Sequence, residues 1–486
     1  MTSFMRRPGR MFRAGQAFLA VLAPLALPVF AAAEVCSAVE LCASYPCTVS
    51  GVQVVGDGCD LAFAGDVTIR GTLKSPPEGG GFRLSSPGAI VLDTGVLRSL
   101  GWAGSAGAIS VEAGGAFRML GAFSKIDTSA LAGALDIDVT AASIEVEAGS
   151  IAAAGGSTLQ CGDSGAVVFE TTGSIVLNAP ISTETGANCG GGDVNIEGAA
   201  VEIRRPITTS GGYDGGWITI EALAGDLVVT SAAALRARGK YQEPDSAGDG
   251  GMLSLTAAGS IAISGTVDVD GGSPNGTGGD IDMLADGTIT ISGTLSSTGA
   301  GLDGSGGFVT LDAGSWVVLS ALIDLDGKGA ESDGGALEMV SGGGFVSSAT
   351  LRARGGGEGS GGDVGVEARN GVSFLDSANW RLDGGSGGAG SFTITTAGTA
   401  SLAGELRAVG TSGLAGGGDI RVAACSILVP GRLDVAGVTG TAGTIVLRGG
   451  SVEIADGAWL DANSCGTQAC IAIEDRMGAV VIDPAA

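Results

Sequence analysis

The residues best placed to do chemistry in this chain sit one repeat apart. Asp324 and Asp326 are followed 28 residues later by Arg352 and Arg354. Carboxylates facing guanidiniums can hold a charged substrate or divide proton-transfer work between an acid and a base. Asp268 and Asp270 precede the four by two repeats, and Arg381 and Asp383 follow them by one. The competing expectation is an exposed ladder of structural ion pairs, each contributing about 0–1 kcal/mol. Histidine is absent from the chain. Imidazole bases, imidazole metal ligands and Ser-His-Asp triads are therefore excluded.

Two further groups carry candidate chemistry. Asp324, Asp326, Glu331 and Asp333 place four carboxylates within ten residues. Calcium takes about six to eight oxygen ligands, so this loop is a candidate calcium site, although the spacing matches neither an EF-hand nor a nonapeptide calcium repeat. The segment 216–250 runs 35 residues rather than 28. Its extra length holds Tyr241, Glu243 and Asp245, and Tyr213 and Trp217 lie close by in sequence. Long loops often carry function, and exposed aromatics suit sugar faces, so these five are candidate ligand contacts. An irregular insertion with incidental aromatics is the alternative.

The elements that must position these residues are set by a period. Gly251, Gly279, Gly307, Gly335, Gly362, Gly390 and Gly418 each open an alternating apolar stretch, at spacings of 28, 28, 28, 27, 28 and 28. A fixed period marks a repeat architecture. Ile281 and Met283, Ile289 and Ile291, and Leu295 divide one repeat into three short strands with apolar residues two apart. Equivalent strands return only once per repeat, so the chain must wind and stack them in parallel. Leu253, Ile281, Val309, Leu337, Val364, Phe392, Ile420 and Ile445 then form one inward column. Leu255, Met283, Leu311, Met339, Val366, Ile394, Val422 and Leu447 form a second. The expected fold is all-β, a right-handed parallel β-helix (a solenoid) of roughly 14 coils of about 28 residues. Weaker repeats open at Gly107, Gly133, Gly165, Gly192 and Gly216, and the glycines are read as supplying corner backbone angles.

Composition agrees. Apolar residues make up 44% of the 486 and aromatics only 4%, which suits a thin aliphatic core. Residues 1–33 read as a signal peptide, with Arg6, Arg7, Arg10 and Arg13 ahead of an apolar run and Ala31-Ala32-Ala33 as the cleavage site. Its removal takes the net charge from −26 to −30. That balance argues against nucleic-acid partners, and no later segment is long enough to span a bilayer. Residues 34–87 read as a Cys-containing N-terminal cap with the first strands, 88–468 as the β-helix, and 469–486 as a C-terminal half-coil. The nine cysteines fit an oxidising compartment. Cys36, Cys42, Cys47 and Cys59 cluster near the start, Cys161 and Cys189 are one repeat apart, and Cys465 and Cys470 flank the last repeat. Cys425 is left over.

The run Gly279-Asp-Ile-Asp-Met-Leu-Ala-Asp-Gly-Thr-Ile-Thr-Ile-Ser-Gly-Thr-Leu295 resembles the repeats of bacterial filamentous-haemagglutinin-type and autotransporter-passenger β-helices. The resemblance implies a rod displayed on the cell surface or secreted, often used in adhesion. The expected function is therefore an exported, non-enzymatic, adhesin-like protein of the periplasm, cell surface or exterior. Its partners would be extracellular carbohydrate or surface proteins, with no cofactor beyond the candidate calcium. Polysaccharide lyases on similar β-helices combine carboxylates, calcium and a basic side chain. The alternative is thus a carbohydrate-active enzyme, a lyase or hydrolase, working through Asp324, Asp326, Arg352 and Arg354.

Overall fold

The computed structural model describes residues 34–99, 106–156, 162–186, 189–240, 248–413, 415–438, 442–463, 471–475 and 480–482. Over these the chain is a parallel β-solenoid of about 14 turns of about 27 residues, with almost no helix. Each turn lays down three strands. In the coil that opens at Gly279 they are Asp280–Ala285, Ile289–Ile291 and Leu295–Ser296. Alternation decides which side chains enter the tube. Ile281, Met283 and Ala285 point in, and Asp280, Asp282 and Leu284 point out.

Every strand pairing between coils is parallel, and the register is the one the period requires. Ile281 lies opposite Val309 and Met283 opposite Leu311. Both inward columns run unbroken from Leu253 and Leu255 to Ile445 and Leu447. All sixteen side chains are buried. Each fully buried aliphatic side chain contributes about 1.5–3 kcal/mol. The third strands form a 17-stranded sheet along the rod. The first and second strand columns join through Ile109–Met119 and Ile137–Val146, which run through both positions without a break.

The recurring glycine is required by close approach rather than by corner angles. A Cβ at Gly279 would lie 2.0 Å from the carbonyl oxygen of Gly251, and one at Gly307 2.1 Å from that of Gly279. At Gly335 it would lie 2.2 Å from the Gly307 oxygen. None of the three has a positive φ. The backbone of each coil rests on that of the one before, leaving no room for a side chain. Gly133 proves to be out of register. Ile137 pairs with Ile109, so Leu135 takes the position that Gly107 holds one coil earlier.

The tube is not wholly aliphatic. Trp380 is fully buried, with the Phe374 ring centroid 4.8 Å away and that of Phe345 5.9 Å away, both edge-on. Its Nε1–H has no hydrogen-bond acceptor. At the N-terminal end, the helix Ala38–Leu41 is capped by the Ser37 hydroxyl and turns Ala38 onto the core. Disulfides Cys36–Cys59 and Cys42–Cys47 tie this cover to the first coils. Strands are already stacked within the expected cap: Cys47–Val49 pairs with Val67–Ile69, and Cys59–Ala62 with Phe82–Ser86.

Candidate functional site

The third strand positions the charged residues that the period singles out. Asp324 ends the strand Leu322–Asp324 and faces Arg352 directly across the coil boundary. Two residues on, Arg354 donates from Nε (3.1 Å) and from a terminal nitrogen (2.5 Å) to Asp326 Oδ2. The pairing expected from stacking is therefore present. The expected exposure of the carboxylates is not. Asp268, Asp326 and Asp383 are at most 8% exposed. Strict alternation would send them outward, but the strand ends here and its last backbone donors need acceptors. Asp326 Oδ1 accepts the Arg354 backbone N–H at 2.8 Å, and Asp383 Oδ1 accepts that of Val409 at 3.1 Å. Asp270, half-buried, does the same for Thr298 at 2.8 Å. These carboxylates link one coil to the next.

Burial raises the Asp324 carboxyl above its ordinary value, and the neighbouring Asp326 charge adds to the shift. Burial also raises Asp383, against the pull of Arg407. The hydrogen bond to Asp326 holds the Arg354 guanidinium more firmly protonated. Beside them lies an open depression of about 350 Å³, lined by Asp326, Gly327, Lys328, Arg354, Asp383 and Thr411. It offers donors and acceptors, but its central acid is already bonded to its central base.

The four carboxylates proposed for calcium do not come together. Asp326 is committed to Arg354, Asp333 Oδ1 accepts the Ser360 N–H at 2.7 Å, and Glu331 points to solvent. Among the described residues no cluster of three or more His, Cys, Asp or Glu is placed to hold a metal ion.

Trp217 opens the strand Trp217–Ala222 on its outward side and is 59% exposed. It stands in a depression of about 420 Å³ with Asp214, Asp249, Met252, Thr277 and Asp280. The floor is a polar ladder: Asp214 Oδ1 accepts the Asp249 N–H, and Asp249 Oδ1 accepts that of Thr277. Tyr213 is exposed on the preceding loop, outside the lining of this depression. Tyr241, Glu243 and Asp245 lie outside the described residues, as do Cys161, Cys465 and Cys470. Cys189 is buried and disulfide-bonded, and Cys425 is free and exposed.

The chain matches no family model, no curated protein and no solved structure. What stands is the β-solenoid and its surfaces. One of those surfaces is absent from the sequence-based candidates. From Asp136 to Glu367 the outward positions of the first strands carry Asp138, Glu170, Glu197, Glu221, Asp282 and Glu338, among other acids, and no Lys or Arg. Asp138 is raised by burial and by Asp136 and Glu170, and Asp280 by burial and by Asp282. The signal is legible in the sequence: acids recur three or five residues after the repeated glycine, as at Glu170, Glu197 and Glu221 and at Asp282 and Glu338.

Proposed function

We propose that this protein is an exported, adhesin-like rod that acts by surface contact with extracellular carbohydrate or surface proteins rather than by catalysis. One observation carries the reading. The acid and base best placed for chemistry, Asp326 and Arg354, are bonded to each other, and Asp326 also caps a backbone donor of the next coil. An acid so engaged is a structural link. Contact surfaces, by contrast, are present: Trp217 stands exposed beside carboxylate acceptors, an arrangement suited to stacking on a sugar ring and bonding its hydroxyls. The disulfides Cys36–Cys59 and Cys42–Cys47, together with the signal-like residues 1–33, support export to an oxidising compartment.

The second reading, a polysaccharide lyase or hydrolase, is favoured by the depression beside Asp326 and by the raised carboxyl of Asp383. One assay separates the two. Purified protein is incubated with acidic and neutral polysaccharides, with and without calcium, while reducing ends and absorbance from unsaturated ends are followed. Retention of polymer without new chain ends is expected. Turnover that disappears in Asp324→Ala or Arg352→Ala would overturn the contact reading.

A further inference from the structure

Arginines on this rod mostly have partners close at hand. Arg70 donates to Asp93, Arg118 to Glu145 and Glu147, Arg204 to Glu202, and Arg432 to Asp434. Three arginines on successive coils are held more loosely. Arg352 lies opposite Arg381, and Arg381 opposite Arg407, in one unbroken row of the third-strand sheet. Like charges directly opposite on neighbouring strands are destabilising. Among the described residues the Arg352 guanidinium makes no hydrogen bond or ion pair. Arg381 donates one hydrogen bond, to Asn379 Oδ1 at 3.0 Å, and stands 3.8 Å from Glu405. Arg407 Nε is 3.3 Å from Asp383 Oδ1 and 4.0 Å from Asp434 Oδ2, yet neither contact is a hydrogen bond and its N–H has no acceptor. Each guanidinium carries about five N–H donors. The row therefore presents three cations with almost all of their donors unused.

Buried acids lie beneath this row, while Asp324 stands opposite Arg352 at one end of it and Glu405 beside Arg381. Asp383 and Asp434 are at most 8% exposed, whereas the Arg381 and Arg407 side chains are 37% and 28% exposed. Both side chains are thus partly exposed, on a chain of net charge −26. Next to it is the depression lined by Gly327, Lys328, Arg354, Gly355, Asp383 and Thr411, in which Lys328 already donates to Thr298 Oγ1 and Thr411 to the Gly384 carbonyl, each at 2.9 Å.

We infer that the Arg352–Arg381–Arg407 row is a binding site for a linear acidic polysaccharide laid along the rod axis. Coils are about 4.8 Å apart, so Arg352 and Arg407 stand about 10 Å apart, near the two-residue repeat at which an extended polyuronate returns a carboxylate to the same face, with Arg381 between them. Planar bidentate pairing is what arginine offers such groups, and lysine would not replace it. The adjacent depression then takes the hydroxyl face of the same chain. This rests on the contact reading above and names the ligand class for it.

The test uses the full chain and fluorescently labelled polygalacturonate oligomers, with neutral dextran and duplex DNA as controls. Anisotropy is measured at low and moderate salt. Expected is binding of the uronate polymer that weakens at least tenfold as salt screens the row, with no binding of dextran. Arg352→Gln and Arg381→Gln should each weaken it at least fivefold while the melting temperature stays within about a degree, because neither residue is tightly held in the fold. Arg118→Gln, on another face, should leave affinity unchanged. Failure of the uronate polymer to bind at low salt, equal binding of DNA, or affinity indifferent to Arg352→Gln and Arg381→Gln would each overturn the inference. Shortening of the polymer would sink the non-enzymatic reading and leave the row standing. Loss of the row without shortening would do the reverse.

Discussion

Gly335 and Gly365 are the same residue type, one coil apart, and alanine should act on them with opposite sign. A Cβ at Gly335 would sit 2.2 Å from the Gly307 carbonyl oxygen and 2.9 Å from the Gly306 carbonyl carbon, all backbone atoms that cannot swing aside. The Gly307 oxygen also accepts the Ala336 N–H at 3.0 Å, so relief by opening the coils would cost that bond. Overpacking of this kind costs about 1–3 kcal/mol and a lost hydrogen bond about 0.5–1.5 kcal/mol. Gly335→Ala should therefore destabilise by about 2–4 kcal/mol. Gly365 lies mid-strand in Asp363–Ala368, and a Cβ there would meet only the Glu338 Cγ at 4.0 Å. Removing a flexible glycine from a strand interior should gain about 0.5–1 kcal/mol. Denaturant titration gives both signs, and hydrogen exchange of the amides in Ala336–Ser341 localises the first. A neutral Gly335→Ala, or a Gly365→Ala that costs more than about 1 kcal/mol, would refute the claim that coil contact selects the repeated glycine.

Three other outcomes are expected. Trp380→Ala should cost about 3–5 kcal/mol, while Trp380→Phe should be nearly neutral, because the lost volume is offset by removal of an unpaired N–H that costs about 1–3 kcal/mol; calorimetry distinguishes them. Asp326→Ala strands the Arg354 backbone N–H and should destabilise by about 1–2 kcal/mol, at the low end for a charge-assisted bond because Arg354 is 42% exposed, whereas Asp326→Asn keeps the acceptor and should cost less in the same melt. The carboxyls of Asp138, Asp280, Asp324 and Asp383 are all raised above the ordinary 3.8, so between that value and the raised ones the folded chain binds more protons than the unfolded chain. Their contribution to stability is then present below the ordinary value and lost as pH climbs through the raised values. The melting temperature should rise on mild acidification from neutrality; a steady fall would contradict this.

The period in the glycines was enough to place Leu253 to Ile445 as a buried column, because one spacing fixes both register and face. The same logic found Asp324 opposite Arg352 and Asp326 beside Arg354. It failed where alternation stops. Asp326 lies two residues past the end of its strand, and there the demand of backbone donors, not the in-out pattern, decides where a side chain goes. Leu135 escaped notice because Gly133 mimicked the signal two residues early. The group around Trp380 draws on Phe345 from the coil before and Phe374 from another strand of its own coil, a proximity that linear spacing does not display. The strands before Phe82 are harder to delimit because their coils are shorter and lack the glycine pair, which first stands in register at Gly79-Gly80.

Uniform pitch also makes this molecule tolerant of arithmetic. Excising residues 279–306 in frame would bring Leu253 against Val309 and Leu255 against Leu311, aliphatic on aliphatic, with the Gly251 oxygen meeting Gly307 as it now meets Gly279. The splice would shorten the rod by one strand spacing, about 4.8 Å, without disturbing either flank. How far the protein reaches is then set by copy number, and a genome can lengthen or trim it through unequal recombination without designing a new core.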